Sequence, residues 1–238
     1  MRRKWALVTG ATGAIGEAIA DKLFAEGYSL YLHYATQREK AIDMVEKYTK
    51  DDGEAIALRA DFTKPEEVYQ LTRALFAVDT VVHNAGVSSI QLAQDVTELE
   101  MDNLFATHIR QPILLMKEVA PKLFRSKGSV VFVSSVWGLR GAATESVYSA
   151  CKGAQLAYMK SVAKEWGPMG VRVNAVAPGF IDTSMNDHLT GEERTYLEES
   201  IPFGAGLPED VAGAVALLAG QRSAYVTGQT MILDGGWQ

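Results

Sequence analysis

The chain has almost no cysteine. Its single thiol, Cys151, excludes an internal disulfide and with it the stapled class of small secreted domains, so a reducing cytoplasm is the expected setting. It has no basic excess. Against 23 Lys and Arg stand 29 Asp and Glu, a formal net charge of −6, which argues against a general nucleic-acid surface. It has no long apolar run, and nothing approaches the roughly 18 consecutive apolar residues of a membrane span. Residues 1–4 are basic, but only Trp5, Ala6, Leu7 and Val8 follow before Thr9-Gly10, too short for a signal-peptide core; a solvated terminus is expected. Histidine is sparse and scattered: His33, His83, His108 and His188 form no HxxxH or Cys/His pair, so no metal site is expected. Repeats, linkers and low-complexity segments are also missing.

What is present is an ordinary globular mixture, 47% hydrophobic and 22% charged, over 238 residues, compatible with one folded unit. Short β-branched runs at 4–9, 29–34, 55–60, 80–83, 129–134, 171–176 and 230–233 alternate with helical periods. Val130-Val131-Phe132-Val133 is apolar without alternation, as in a central parallel strand covered on both faces. Ile15, Ile19 and Leu23 recur on one helical stripe, and 97–124 and 146–166 read as long helices. Alternation from end to end predicts an α/β fold: a single-domain, doubly wound, Rossmann-type parallel sheet of seven strands covering 1–238. The polar stretch 183–207, bracketed by Pro178-Gly179 and by Pro202, Gly204, Gly206 and Pro208, breaks the rhythm after the sixth strand. It is a candidate substrate lid.

The first strand runs into Thr9-Gly10-Ala11-Thr12-Gly13-Ala14-Ile15-Gly16, and a helix follows at once. Glycines there allow a tight turn, close approach to a pyrophosphate and close helix–strand packing, while the helix N-terminus offers N–H groups to phosphate. Gly10, Thr12, Gly13, Ala14, Ile15 and Gly16 are therefore candidate dinucleotide contacts. The second strand ends in Tyr34-Ala35-Thr36-Gln37-Arg38, with no carboxylate before Glu39 to select a ribose 2′-hydroxyl. Arg38, beside Tyr34, can pair with a 2′-phosphate, so NADP(H) is favoured; Arg38 as a solvated first-turn residue, and NAD(H) as cofactor, stay open.

Tyr148 and Lys152 are four apart in a predicted helix and share a face. Ser135 closes the buried fifth strand. Together they suit carbonyl reduction. Tyr148 gives the carbonyl oxygen a proton, Lys152 lowers the phenol pKa by its charge, and Ser135 hydrogen-bonds the oxygen where charge develops. With these residues the chain resembles the short-chain dehydrogenase/reductase family over essentially its whole length. The matching motifs are Thr9-Gly10…Gly16, Asp61, His83-Asn84-Ala85-Gly86, Ser135, Tyr148…Lys152, and Pro178-Gly179 with Thr183. The resemblance implies that Asp61 and Phe62 lie by the adenine and that Asn84, Ala85 and Gly86 line the cofactor. It also implies that Pro178, Gly179, Ile181 and Thr183 meet its nicotinamide and phosphate end, that Lys152 hydrogen-bonds the nicotinamide ribose, and that the protein is a homotetramer.

Within that family the chain is similar to bacterial 3-oxoacyl-acyl-carrier-protein reductases, through Tyr225-Val226-Thr227-Gly228-Gln229 and Asp234-Gly235-Gly236. Three departures stand out. The middle glycine of the turn is Ala14, with Gly13 expected to supply its flexibility one residue early. The fourth member of the catalytic set, usually Asn, is His108, which is either a proton relay titrating near pH 6.5 or a packed, hydrogen-bonded core residue. The carrier-docking arginines expected near the substrate mouth are Ser126 and Met169, with Arg125 and Lys127 beside the first. His108, Ser134-Ser135-Val136-Trp137-Gly138 and Glu145 are similar to a reductase branch acting on aminopentanone-modified elongation factor P. On that reading Glu145 binds the substrate amine; as a bland alternative it is a helix N-terminal acid. Trp137 is expected near substrate, Trp166 in packing, and Cys151 as a small buried hydrophobe. A non-catalytic dinucleotide-binding sensor or assembly protein is the competing class, against which Ser135, Tyr148 and Lys152 argue.

Overall fold

The computed structural model describes residues 3–50 and 53–237; Met1 and Arg2 of the basic start lie outside them. Among the described residues, seven strands form one parallel sheet in the order β3-β2-β1-β4-β5-β6-β7. They are β1 (Lys4–Val8), β2 (Tyr28–Tyr34), β3 (Ala55–Arg59), β4 (Thr80–His83), β5 (Ser129–Val133), β6 (Arg172–Pro178) and β7 (Thr230–Leu233). Strand order reverses between β1 and β4, and ligands of open α/β sheets bind in the crevice at such a point.

The burial pattern explains why the strands read as unbroken apolar runs. In β5 every residue is buried. Val130 and Phe132 join one core, under α3 (Pro65–Ala74), α5 (Gln111–Ser126) and α7 (Ser146–Trp166). Val131 and Val133 join the other, under α1 (Ala14–Ala25) and α9 (Pro208–Ala219). Trp5 and Leu7 alternate with Ala6 and Val8 between the same two cores. Ile19 and Leu23 of the α1 stripe are fully buried, and Ile15 is partly so. The outer helix α2 (Arg38–Lys50) buries Ala41, Met44 and Tyr48.

The expected helix over 97–124 is three pieces: α4 (Glu98–Phe105), a π-turn (Ala106–Arg110) and α5. Pro112 has no N–H to give the His108 carbonyl, so the regular ladder fails there. The Gln111 N–H bonds Ala106 instead, and the freed His108 carbonyl accepts from Gln155 Nε2 at 2.8 Å. Two short elements complete the chain near the sheet's C-terminal edge, α6 (Trp137–Arg140) and α8 (Gly191–Glu199). No helix among the described residues is long and apolar enough to cross a membrane.

Candidate active site

A cleft of about 680 Å³ opens at the C-terminal edge of the sheet, over the strand-order reversal. One end is the turn between β1 and α1. Gly10 holds a φ of +64°, which a side chain resists, and a Cβ on Gly16 would land on the Gly10 carbonyl and 2.8 Å from Asn84 Nδ2. Gly13 has an ordinary φ of −74° at the N-cap, so the expectation that it lends flexibility is corrected; the turn needs its glycines at 10 and 16. No side chain caps α1, which leaves its first N–H groups facing the cleft. Asn84 clamps the turn to β4: its Nδ2 donates to the Thr9 and Gly10 carbonyls at 3.0 and 3.1 Å.

Gly10, Thr12, Gly13, Ala14, Ile15, Gly16, Asp61, Phe62, Asn84, Ala85 and Gly86 all line the cleft, as do Pro178, Gly179, Ile181 and Thr183. Tyr34 and Arg38 do not. Tyr34 is buried on the strand and Arg38 is exposed at the start of α2; Ala35, Thr36 and Gln37 form the wall there. His33 is a lining residue that the sequence reading passed over. Its Nδ1 accepts from the Gly10 N–H at 3.0 Å, Nε2 bonds the Ala60 carbonyl at 2.9 Å, and the ring stacks 4.2 Å from Phe62. Burial holds it at about pKa 4, hence neutral. Asp61 is engaged by the Thr63 N–H and hydroxyl and by Lys64, which keep its carboxyl below the usual range.

The other end holds the candidate catalytic side chains. Ser135 follows β5, and Tyr148 and Lys152 share the inner face of α7; all three line the cleft. The Ser135 hydroxyl accepts from the Trp137 N–H at 3.2 Å, and it lies on the Tyr148 side of the cleft. Burial raises the Tyr148 phenol above its ordinary range, with Glu145 adding to the rise and Ser135 opposing it. Lys152 Nζ lies 5.4 Å from the Tyr148 ring centroid and donates to the Val133 carbonyl at 2.9 Å. Burial lowers it to about 8. The expected lowering of Tyr148 by Lys152 is corrected: desolvation of the phenol sets the direction, which is upward.

His108 is fully buried and not on the cleft. Nε2 bonds the Val87 carbonyl at 2.7 Å, and the ring meets Tyr148 edge-on at 5.4 Å. Burial and the Lys152 charge bring it to about pKa 3, so the imidazole is neutral and packed and does not titrate near pH 6.5. Cys151 is fully buried beside Leu104 and Tyr148, and Trp166 packs edge-on against Phe124.

Trp137 and Glu145 both reach the cleft. Thr144, a β-branched residue held at φ +65°, turns the chain so that Glu145 enters it half-buried. Burial raises the Glu145 carboxyl, opposed by His188 and by the Trp137 side chain. His188, Leu189, Leu197 and Trp237 were not singled out from the sequence; they come from the stretch 183–207 and the C-terminus, which only the folded chain brings there. Ser126 and Met169 do not border this mouth. They precede β5 and β6, at the opposite edge of a parallel sheet, where the Lys127 side chain would lie 3.3 Å from a Cβ on Gly170.

A family model described as enoyl-(acyl carrier protein) reductase matches residues 10–238. Among curated relatives, "uncharacterized oxidoreductase YmfI" of Bacillus subtilis strain 168 is 39% identical over 238 residues, spanning 98% of both chains. The 3-oxoacyl-[acyl-carrier-protein] reductase FabG of Staphylococcus epidermidis is 34% identical over 239 residues, again 98% of both. A dehydrogenase/reductase from Sinorhizobium meliloti 1021 superposes with a TM-score of 0.92 at 33% identity, covering 100% of this chain and 96% of that one. The chain belongs to the short-chain dehydrogenase/reductase family. As a short-chain dehydrogenase/reductase it is an NAD(P)-dependent oxidoreductase, with the single-domain, seven-stranded Rossmann-like sheet of its relatives. A 3-oxoacyl (acyl-carrier-protein) reductase of Agrobacterium tumefaciens C58, solved with NADP bound, has the same fold at a TM-score of 0.91 and 27% identity, covering 99% of this chain and 94% of that one.

Proposed function

We propose that the protein is an NADPH-dependent carbonyl reductase of the 3-oxoacyl-acyl-carrier-protein reductase type. The observation that carries this reading is the convergence of Ser135, Tyr148 and Lys152 in the same cleft as the glycine turn. The cleft fits a dinucleotide: uncapped N–H groups of α1 suit the pyrophosphate, and Gly16 leaves the backbone approach that a Cβ would fill. A reduced nicotinamide supplies hydride to a carbonyl carbon. Tyr148, kept protonated by burial, donates its proton to the carbonyl oxygen, and Ser135 hydrogen-bonds that oxygen. Lys152, an ammonium below about pH 8, stabilises the phenolate left behind. The absence of a carboxylate among Ala35, Thr36 and Gln37, and the NADP held by the Agrobacterium reductase, support NADPH over NADH. We also propose a homotetramer in the cytoplasm. Exposed Leu99 and Phe105 on α4, Ile113 on α5, and Tyr225 and Ile232 near the C-terminus give it apolar faces to bury.

A second substrate class is favoured by Glu145. A half-buried carboxylate at the mouth, close to Tyr148, suits a ketone that carries an amine, as on aminopentanone-modified elongation factor P. The lid helix also carries Glu192, Glu193, Glu198 and Glu199 against one Arg194, an unfavourable field for an acidic carrier protein. The test is NADPH oxidation with an acetoacetyl thioester and with the modified factor, side by side. Rapid thioester turnover supports the first reading. A mass gain of two daltons on the factor alone supports the second. NADPH binding without turnover of either would favour the sensor class.

A further inference from the structure

Helix α8 is the lid's one α-helix, and none of its residues is fully buried. Its hold on the body rests on few side chains. Leu197 faces the cleft. Arg194 does something different. Its Nη2 lies 2.7 Å from Asp182 Oδ1, its Nε donates to Glu198 Oε1 at 2.9 Å, and its guanidinium sits 5.9 Å from the Phe180 ring centroid. Phe180, Ile181 and Thr183, the residues around Asp182, all line the cleft. That segment continues from Pro178-Gly179 at the end of β6 and is pinned to the lid's exit, because the Asp182 N–H donates to the Gly206 carbonyl at 2.8 Å. One arginine thus ties the lid helix to the wall that faces the dinucleotide.

The charge distribution makes this tie matter. In Gly191–Glu199 four glutamates accompany Arg194, so without its guanidinium Asp182 faces only like charge from α8. We infer that Arg194 is a positioning residue that couples lid closure to the cofactor-facing segment 180–183, so that the dinucleotide and the carbonyl substrate strengthen each other's binding. The inference rests on the reductase reading for the identity of the dinucleotide. Coupling of this kind is reciprocal: what orders the 180–183 wall favours the closed lid, and a closed lid favours that wall. The pair is partly exposed, so its loss costs no more than about fivefold in affinity.

The experiment measures hydrogen exchange over 184–207 with and without NADPH, the NADPH Kd, and KM against kcat for an acetoacetyl thioester. The proteins are the parent chain, Arg194→Gln, Arg194→Lys, Asp182→Asn, their double variant and Glu198→Gln. In the parent, NADPH slows exchange in the lid. Arg194→Gln and Asp182→Asn lose that protection, raise the NADPH Kd and the KM by up to about fivefold, and keep kcat, the pH profile and Tm. Arg194→Lys restores part of the effect, the double variant adds nothing to either single, and Glu198→Gln, whose partner lies on its own helix, keeps the protection. If NADPH protects the lid of Arg194→Gln as it does the parent's, or if Glu198→Gln behaves like Arg194→Gln, the coupling is overturned. Failure of the parent to bind NADPH would instead overturn the reductase reading, and this inference with it.

Discussion

Lys152 is a charged group carried into the interior, 4% exposed, and burial lowers its pKa to about 8 from an ordinary 10.5. The unfolded chain therefore binds its proton more tightly. The stability this residue allows above pH 10.5 is lost as pH falls through about 8, and at neutral pH the cost is complete. Lys152→Met should raise the neutral Tm by a few degrees, corresponding to roughly 1–3 kcal/mol, while NADPH oxidation falls at least ~100-fold. A lower Tm by calorimetry would show that the Nζ bond to Val133 outweighs the burial cost. Burial acts the other way on Tyr148, whose phenol it holds protonated, the state that the proposed donor role requires.

At the scale of elements, the glycine turn and the π-turn show two ways in which one residue bends a regular structure. Gly16 sits where β1 and α1 touch. Gly16→Ala drives a methyl into the Gly10 carbonyl, so it should cost about 1–3 kcal/mol and weaken NADPH binding at least ~10-fold. Gly13→Ala, whose Cβ meets only the Gly10 carbonyl at 3.6 Å and whose φ is ordinary, should change Tm little. Thermal melts and nicotinamide fluorescence of the two variants decide it; equal effects would mean that the close approach is not what the turn requires. The π-turn was legible in principle. Pro112 marks the missing N–H, yet hydrophobic period alone runs straight through 97–124, because a one-residue bulge leaves the buried face of α5 in place. The helix over Ser146–Trp166 was read with its observed bounds, since its periodicity is uninterrupted and Gly167-Pro168 stops it.

Across the whole molecule, three histidines are buried and neutral: His33 at about pKa 4, His83 at about 3 and His108 at about 3, in each case chiefly through burial. Their folded values lie below the ordinary 6.5, so the stability present above pH 6.5 is lost as pH falls toward 4 and 3. Each should contribute on the order of 1–3 kcal/mol to that loss by pH 4. The protein is therefore expected to lose Tm steeply below pH 6.5. His83 tests the cause cleanly. Its ring stacks 4.5 Å from Phe132, and neither nitrogen has a hydrogen-bond partner among the described residues. His83→Phe keeps the stacking and should flatten the acid limb of a Tm-versus-pH curve. An unchanged limb would place the acid lability in the carboxylates instead.

What the sequence by itself determined is what depends on local order: the strand–helix alternation, the glycine turn, the Tyr148–Lys152 spacing and the seven-stranded sheet that follow from short-range pattern and steric rule. Asp61, Asn84 and Thr183 reach the cleft because each follows a strand at its C-terminal end, and strand ends are countable along the chain. The tertiary structure decided what depends on distant chain meeting. It set Arg38 outside the cleft and His33 within it, sealed His108 behind the catalytic face, and sent Ser126 and Met169 to the far edge of the sheet. It brought Glu145, His188, Leu197 and Trp237 to one mouth from three separate parts of the chain. Burial, and with it the shifted pKa values of Tyr148, Lys152 and the three buried histidines, is a property of what packs around a residue, and sequence spacing carries no record of that.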